Sequence, residues 1–336
     1  MTISGLGPHG ERAAPPERVS LLPDDRLAAK AAGWRVAVVL HTLHSDWAKQ
    51  QIAGMVGIFG DCGAAVVDVV DCGFSPDLQS AALDRLIAER PDAIISLPVA
   101  NEQVAAAHAR VSAAGIRLVL LDNVPTGLLP GRHYTALVSA DNFGLGKSAA
   151  QGLAQHLPQG AEVGVLGFAA DFFATNEREI AFTKWLQANR PDVNTHIRRF
   201  GRIDEAAQLG EALVTDHPAL AGMFVVWDTP ALAVAARLAE RGHTLPMATV
   251  DLGEEAAIDL ARGGAIRCIA AQQPFQQGIA AAQTVILSLL GRPVPAWIAL
   301  PGIDVTRDNV VESFQTVWRQ PAPREVLRLL GLARSG

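Results

Sequence analysis

The 336-residue chain is 49% hydrophobic and only 18% charged, so it carries apolar residues enough for two cores, and its length favours two domains over one. Its 28 Lys and Arg against 34 Asp and Glu leave a net charge of −6, without the basic field that a nucleic-acid or anionic-membrane partner needs. No stretch approaches the roughly 18 apolar residues of a membrane-spanning helix, and a neutral or polar small molecule is the partner class that fits.

Residues 1–33 are rich in Pro, Gly, Ala and charge ("GPHGERAAPPER") and are expected to form a flexible tail. They contain no apolar run like the core of a secretory signal. From Trp34 onward, apolar runs of strand length alternate with segments of helical period, the pattern of parallel sheets covered by helices. The first half predicts strands at "RVAVVL" (35–40), "AAVVDVV" (64–70), "DAIISL" (92–97) and "IRLVLLD" (116–122). Between the second and third, "SPDLQSAALDRLIAE" reads as a helix capped by Ser75, with Pro76 in its first turn and Leu83, Leu86 and Ile87 on one face.

The second half repeats this grammar, with strands expected at "EVGVLGF" (162–168), "NTHIRRF" (194–200), "GMFVVWD" (222–228), "MATVDL" (247–252) and "IRCIAAQ" (266–272). Thr229 and Pro230 read as a cap and first-turn pair opening another helix. The repetition is one of architecture, and two doubly wound α/β lobes are its simplest meaning.

Open parallel sheets present ligands to the carboxyl ends of their strands, and here those ends are polar or aromatic. They carry His41, Ser45 and Trp47, then Asp122 and Asn123, then Trp227 and Asp228, then Asp251, then Gln272, with Arg178 in "DFFATNER" after the strand ending at Phe168. Taken singly, an aspartate at such a place can be a helix cap and a tryptophan can be core. Their joint occurrence in both halves favours a binding role.

Other chemistry finds little support. Cys62, Cys72 and Cys268 match no zinc spacing and read as buried apolar residues, with a Cys62–Cys72 bridge left open. His41, His44 and Asp46 lack a further ligand cluster nearby, so no metal is expected. "GLGKSA" (144–149) resembles the end of a phosphate-binding loop, but Asp141 stands where that loop requires glycine, and the stretch reads as a helix start capped by Asp141 or Asn142. No dinucleotide fingerprint, nucleophile elbow or zinc-protease helix is present. Neither a cofactor nor a catalytic residue is expected.

In this order the residues from about 34 to 318 resemble the type I periplasmic binding proteins of the ribose- and galactose-binding group, the solute receptors of ABC importers. The marks are "LHTLHSDW", "VLLDN" followed by "VSADNFGLG", "NEREIAF", "HPALAGMFVVWD", "TVDL", "IAAQQP" and "DVTRDNV". The resemblance implies two lobes joined by a three-strand hinge, with crossovers near Ala140–Asp141, Gln272–Gln273 and Gly302–Ile303. The first lobe would comprise 34–140 with 273–302, the second 141–272 with 303–318, and 319–336 would be a C-terminal extension. It further implies a sugar, polyol or cyclitol held by His41, Ser45, Trp47, Asp122, Asn123, Arg178, Trp227, Asp251 and Gln272, hinge closure, delivery to the membrane subunits of an ABC transporter, a periplasmic location and a monomer.

The chain departs from the ribose pattern at Trp227, where asparagine is usual, at Asn123, where arginine is usual, and at His41 and Ser45, which replace a small hydroxyl and an amide. An indole in place of an amide removes donors and adds bulk, so a smaller polyol, a ring between aromatic faces or a less hydroxylated ligand is expected. The rival reading is a cytoplasmic sensor related to LacI-type effector domains. It would lack the DNA-binding part, because residues 1–33 are too few and too interrupted for a helix-turn-helix. An enzyme with a two-lobe cleft stands last.

Overall fold

A computed structural model describes residues 3–333, which divide into two compact units. The first comprises Met1–Ala140, Asp171–Phe173 and Pro274–Leu300, the second Asp141–Ala170, Ala174–Gln273 and Pro301–Gly336.

The first unit is built on β1 (Arg35–Leu40), β2 (Ala65–Asp71), β3 (Ala93–Ser96), β4 (Arg117–Leu121), β5 (Ala136–Ala140) and β11 (Trp297–Leu300), all parallel, in the order β11-β5-β4-β3-β1-β2. Its helices are α1 (Pro23–Ala32), α2 (Asp46–Asp61), α3 (Pro76–Glu89), α4 (Glu102–Ala113) and α10 (Pro274–Leu289). Successive side chains of a strand point to opposite faces, and here both faces are apolar. Val36, Val38 and Leu40 enter one core together with Phe59 and Val285, while Ala37 and Val39 enter a second with Leu83, Leu86 and Val104. Continuous runs such as "RVAVVL" are what a strand covered on both sides requires.

Helices α2 and α10 approach at glycines. A Cβ on Gly54 would lie 2.2 Å from the Phe275 carbonyl oxygen, and one on Gly278 would lie 2.2 Å from that of Gln51. As expected, α3 is capped by Ser75, whose hydroxyl accepts from the Leu78 N–H at 3.3 Å.

Of the stretch expected as a flexible N-terminal tail, the described residues 3–33 are instead packed and partly helical. Pro16–Val19 forms a 3-10 turn, α1 opens with Pro23 in its first turn, and the Leu22 N–H donates to the Asp25 carboxylate at 3.0 Å. Val19 and Ala29 are fully buried against the core below α10, and Ala14 bridges to Ile298 at the β11 edge. Burial of these few apolar side chains orders a segment whose Pro and Gly content suggested otherwise.

The second unit has β6 (Glu162–Phe168), β7 (Asn194–Phe200), β8 (Leu220–Val225), β9 (Met247–Val250), β10 (Ile266–Ala271) and β12 (Ile303–Val305), in the order β12-β10-β9-β8-β6-β7. All pairs are parallel except β10 with β12. Around them lie α5 (Asn142–Ala154), α6 (Phe173–Asn189), α7 (Ala206–Asp216), α8 (Asp228–Glu240), α9 (Glu254–Arg262), α11 (Val310–Trp318) and α12 (Arg324–Leu329). The last two seal one core, where Phe314, Val317 and Val326 meet Leu260 and Ile269.

One expected helix start moves. Helix α8 opens at Asp228, with Trp227 at the capping position, and the Thr229 hydroxyl is 3.3 Å from the Asp228 carboxylate rather than capping the helix itself. The helix of the "GLGKSA" stretch is α5, and Asp141 caps it by accepting from the Gly144 N–H at 2.9 Å. Gly146 lets α5 approach α6, since a Cβ there would lie 2.1 Å from the Arg178 carbonyl oxygen. Cys62, Cys72 and Cys268 are all free and buried. Among the described residues, no helix is long and apolar enough to cross a membrane.

Candidate functional site

In the first unit, β1 ends at Leu40 and the chain turns through His41 into α2. Ser45 caps that helix, accepting from the Ala48 N–H at 3.2 Å, so its hydroxyl proton remains available as a donor. Trp47, in the first turn, and Phe74, beyond β2, both meet the His41 ring edge-on, with centroids 5.6 and 4.9 Å away. Burial lowers the His41 imidazole to about 4, against the pull of Asp71, which leaves the ring neutral at ordinary pH. His41 Nδ1 and Trp47 Nε1 are buried without a protein partner among the described residues.

Phe74 was not singled out by the sequence. It is 40% exposed, and its φ of 59° is uncommon for a bulky residue. The signal that could have found it is its place just past β2, beside the His41 carbonyl that its N–H bonds at 2.8 Å.

Asp122 and Asn123, just past β4, also bond the protein itself. The Asp122 carboxylate accepts from the Ala140 N–H at 3.2 Å and from Gln277 Nε2 at 3.0 Å, which ties the ends of β4 and β5 to α10. Asn123 donates from Nδ2 to the Pro98 carbonyl (3.1 Å) and to Asn101 Oδ1 (2.9 Å), and its Oδ1 accepts from the Phe173 N–H (3.1 Å). Both of its amide protons are thereby used.

In the second unit the strand ends gather charge. Asp251 follows β9 with a left-handed φ of 74°, as Asp122 follows β4 with 50°. Gln272, just past β10, donates from Nε2 to Asp251 Oδ1 at 2.6 Å, while its Oε1 is buried with no partner among the described residues. Arg178 projects from α6 and is 5% exposed; its Nε donates to Asn142 Oδ1 at 2.9 Å and its Nη1 to the Val226 carbonyl at 3.2 Å. Burial raises the Asp251 carboxyl, against the charge of Arg178 and the bond from Gln272. Asp228 is pushed up to about 7 by burial and by the charge of Asp251, although the Gly253 N–H donates to it at 2.8 Å.

The fold therefore brings Arg178, Asp251 and Gln272 together, and adds Asp228, noted at its strand end but not counted as a site residue, and Asn142, which orients the arginine. Trp227 belongs to a separate aromatic group: its ring meets Phe168 and Phe200 at tilts of 78° and 66°, with centroids 5.4 and 5.1 Å away. The cation, carboxylates and amide can exchange hydrogen bonds with hydroxyl groups, while the aromatic groups offer apolar faces. The two stretches expected to cooperate, around His41 and around Asp251, belong to different units.

Residues 36–293 match the family described as periplasmic binding protein domain. The ribose import binding protein of Bacillus subtilis (strain 168) is 26% identical over 235 residues, 70% of this chain and 75% of that protein. Two ABC transporter solute-binding proteins from Agrobacterium vitis share the fold. One, bound with alpha-D-tagatopyranose, has a TM-score of 0.78 at 22% identity over 86% of this chain and 99% of that one. The other, with bound allitol, has a TM-score of 0.74 at 23% identity over 84% of this chain and 98% of that one.

Proposed function

We propose that this chain, which belongs to the periplasmic binding protein family, is the solute receptor of an ABC importer and captures a small sugar or polyol. The observation that carries this reading is the set of Arg178, Asp251 and Gln272 at the carboxyl ends of the second sheet, with Arg178 and Gln272 buried and Asp251 half-buried. The amide donates to the carboxylate there and the cation acts on it through its charge, in the place where open parallel sheets hold ligands. Adjacent hydroxyl groups can accept from the guanidinium fork and donate to the carboxylate at once.

Hydrogen bonds to charged groups contribute about 1.5–3 kcal/mol each, so three or four are enough for micromolar affinity, about 8 kcal/mol. In the first unit Trp47, His41 and Phe74 would pack on the C–H face of the solute, with the Ser45 hydroxyl and the Trp47 N–H donating to it. Asp122 and Asn123 brace the segments after β3 and β4 and the end of β5. Trp227 brings bulk where ribose receptors use an amide, which favours a solute with fewer hydroxyls on that side. Ribose, tagatose and allitol, named with the relatives above, share adjacent hydroxyls on a short carbon skeleton.

A solute that binds one conformation of the receptor more tightly shifts the population toward it. The membrane subunits of the importer would recognise that conformation. The receptor acts in the periplasm as a monomer, without cofactor or nucleic acid. The test is a melting-temperature titration against sugars, polyols and cyclitols, in which a ligand at 100 times its dissociation constant adds about 2.7 kcal/mol of stability. A panel in which no member raises the melting temperature would refute the carbohydrate assignment.

A further inference from the structure

At the amino ends of the strands of the second unit, opposite the edge that carries Asp251 and Gln272, three metal-ligating side chains converge. Glu162 is the first residue of β6 and His196 the third of β7; in the parallel register Glu162 faces Asn194 and Gly164 faces His196, so the two side chains are diagonal neighbours on one face. His196 Nε2 lies 3.1 Å from Glu162 Oε2. His217, the residue that caps the end of α7, stacks its ring on that of His196 with centroids 3.6 Å apart and planes 23° apart. One ligand atom from each residue lies within 4.8 Å of the other two.

We infer that Glu162, His196 and His217 form a binding site for a divalent transition-metal ion, with zinc as the best match. Two imidazoles and one carboxylate suit zinc and its neighbours, whereas magnesium and calcium take oxygen ligands almost exclusively. Bond lengths of about 2.0–2.1 Å in a tetrahedral arrangement place ligand atoms about 3.4 Å apart. The ligand atoms, within 4.8 Å of one another, would draw in toward that spacing around an ion. The carboxylate offsets part of the charge of the incoming cation.

His196 and Glu162 keep 27% and 33% of their side-chain surface exposed, so an ion can enter from solvent, and a water or an external donor can complete its coordination. The bound ion would fasten β7, the edge strand of this sheet, to β6 and to the end of α7. Sequence patterns miss the cluster because its members are separated by 34 and 21 positions, outside any local ligand spacing.

The test is calorimetric titration of zinc chloride into the tag-free, chelator-treated full chain, repeated with Glu162→Gln, His217→Ala and, as a control in the first unit, His44→Ala. The wild type and H44A are expected to take up one ion per chain with equal affinity. E162Q and H217A should each bind at least tenfold more weakly while keeping the wild-type circular dichroism, since even outer-shell changes weaken metal sites by that factor. Cobalt substitution gives an independent readout, because the visible bands of a tetrahedral ion should appear in the wild type and vanish in E162Q. Failure of the folded wild type to bind zinc saturably, or undiminished binding by both site variants, would overturn the inference. Solute binding is measured separately, so its outcome leaves this one independent.

Discussion

Single residues in this protein are chosen as much for what they hold in place as for what they touch. Asp228 is the clearest case: burial and the neighbouring Asp251 raise its carboxyl to about 7 from an ordinary 3.8. The folded state therefore holds that proton more tightly than the unfolded chain. The stabilisation is complete below about pH 4 and is lost as the pH rises through 7. Asp228→Asn keeps an acceptor for the Gly253 N–H and removes the charge. It should raise the melting temperature at pH 8 by several degrees, with the gain shrinking toward pH 4; an equal gain at both values would contradict the assignment. His41 and His108 act with the opposite sign. Burial holds each to about 4 against an ordinary 6.5, so their stabilisation is present above pH 6.5 and lost as the pH falls toward 4.

Much of this scale was legible beforehand. Asp251, Gln272 and Arg178 stand out as polar residues at or near strand ends. The remainder was not, because Asn101 meets Asn123 across 22 positions and Asp228 meets Gly253 across 25, distances that only the fold closes. Asp122 reads as a ligand residue from its place alone, and nothing local announces that Gln277 and the Ala140 N–H bond its carboxylate.

At the scale of elements, apolar runs of five to seven residues announced most strands, since a strand buried on both faces has no polar side. Strands β5, β11 and β12 were not announced as strands; the resemblance only put crossovers near Ala140–Asp141 and Gly302–Ile303, at the end of β5 and the start of β12. Glycines show how elements bear on the site. Gly146 is where α5 meets α6, and a methyl group there would press on the backbone of Arg178. Gly146→Ala should cost about 1–3 kcal/mol of stability and also weaken solute binding, because the guanidinium would move with its helix. Chemical denaturation and calorimetry read the two effects separately. Unchanged stability would show that the two helices yield freely at that point.

At the scale of the whole molecule, the first unit carries His41, Trp47 and Phe74, and the second carries Trp227 with Arg178, Asp251 and Gln272. A polyhydroxylated solute uses both apolar faces and charged bonds. The apolar contact and the polar clamp are physically different contributions, so losing either should be measurable by itself. Isothermal titration of a solute identified by the melting panel, into the wild type and into Trp47→Ala and Asp251→Asn, tests this most directly. The account predicts at least a tenfold loss of affinity in each variant with the fold intact; wild-type affinity in either one would contradict it.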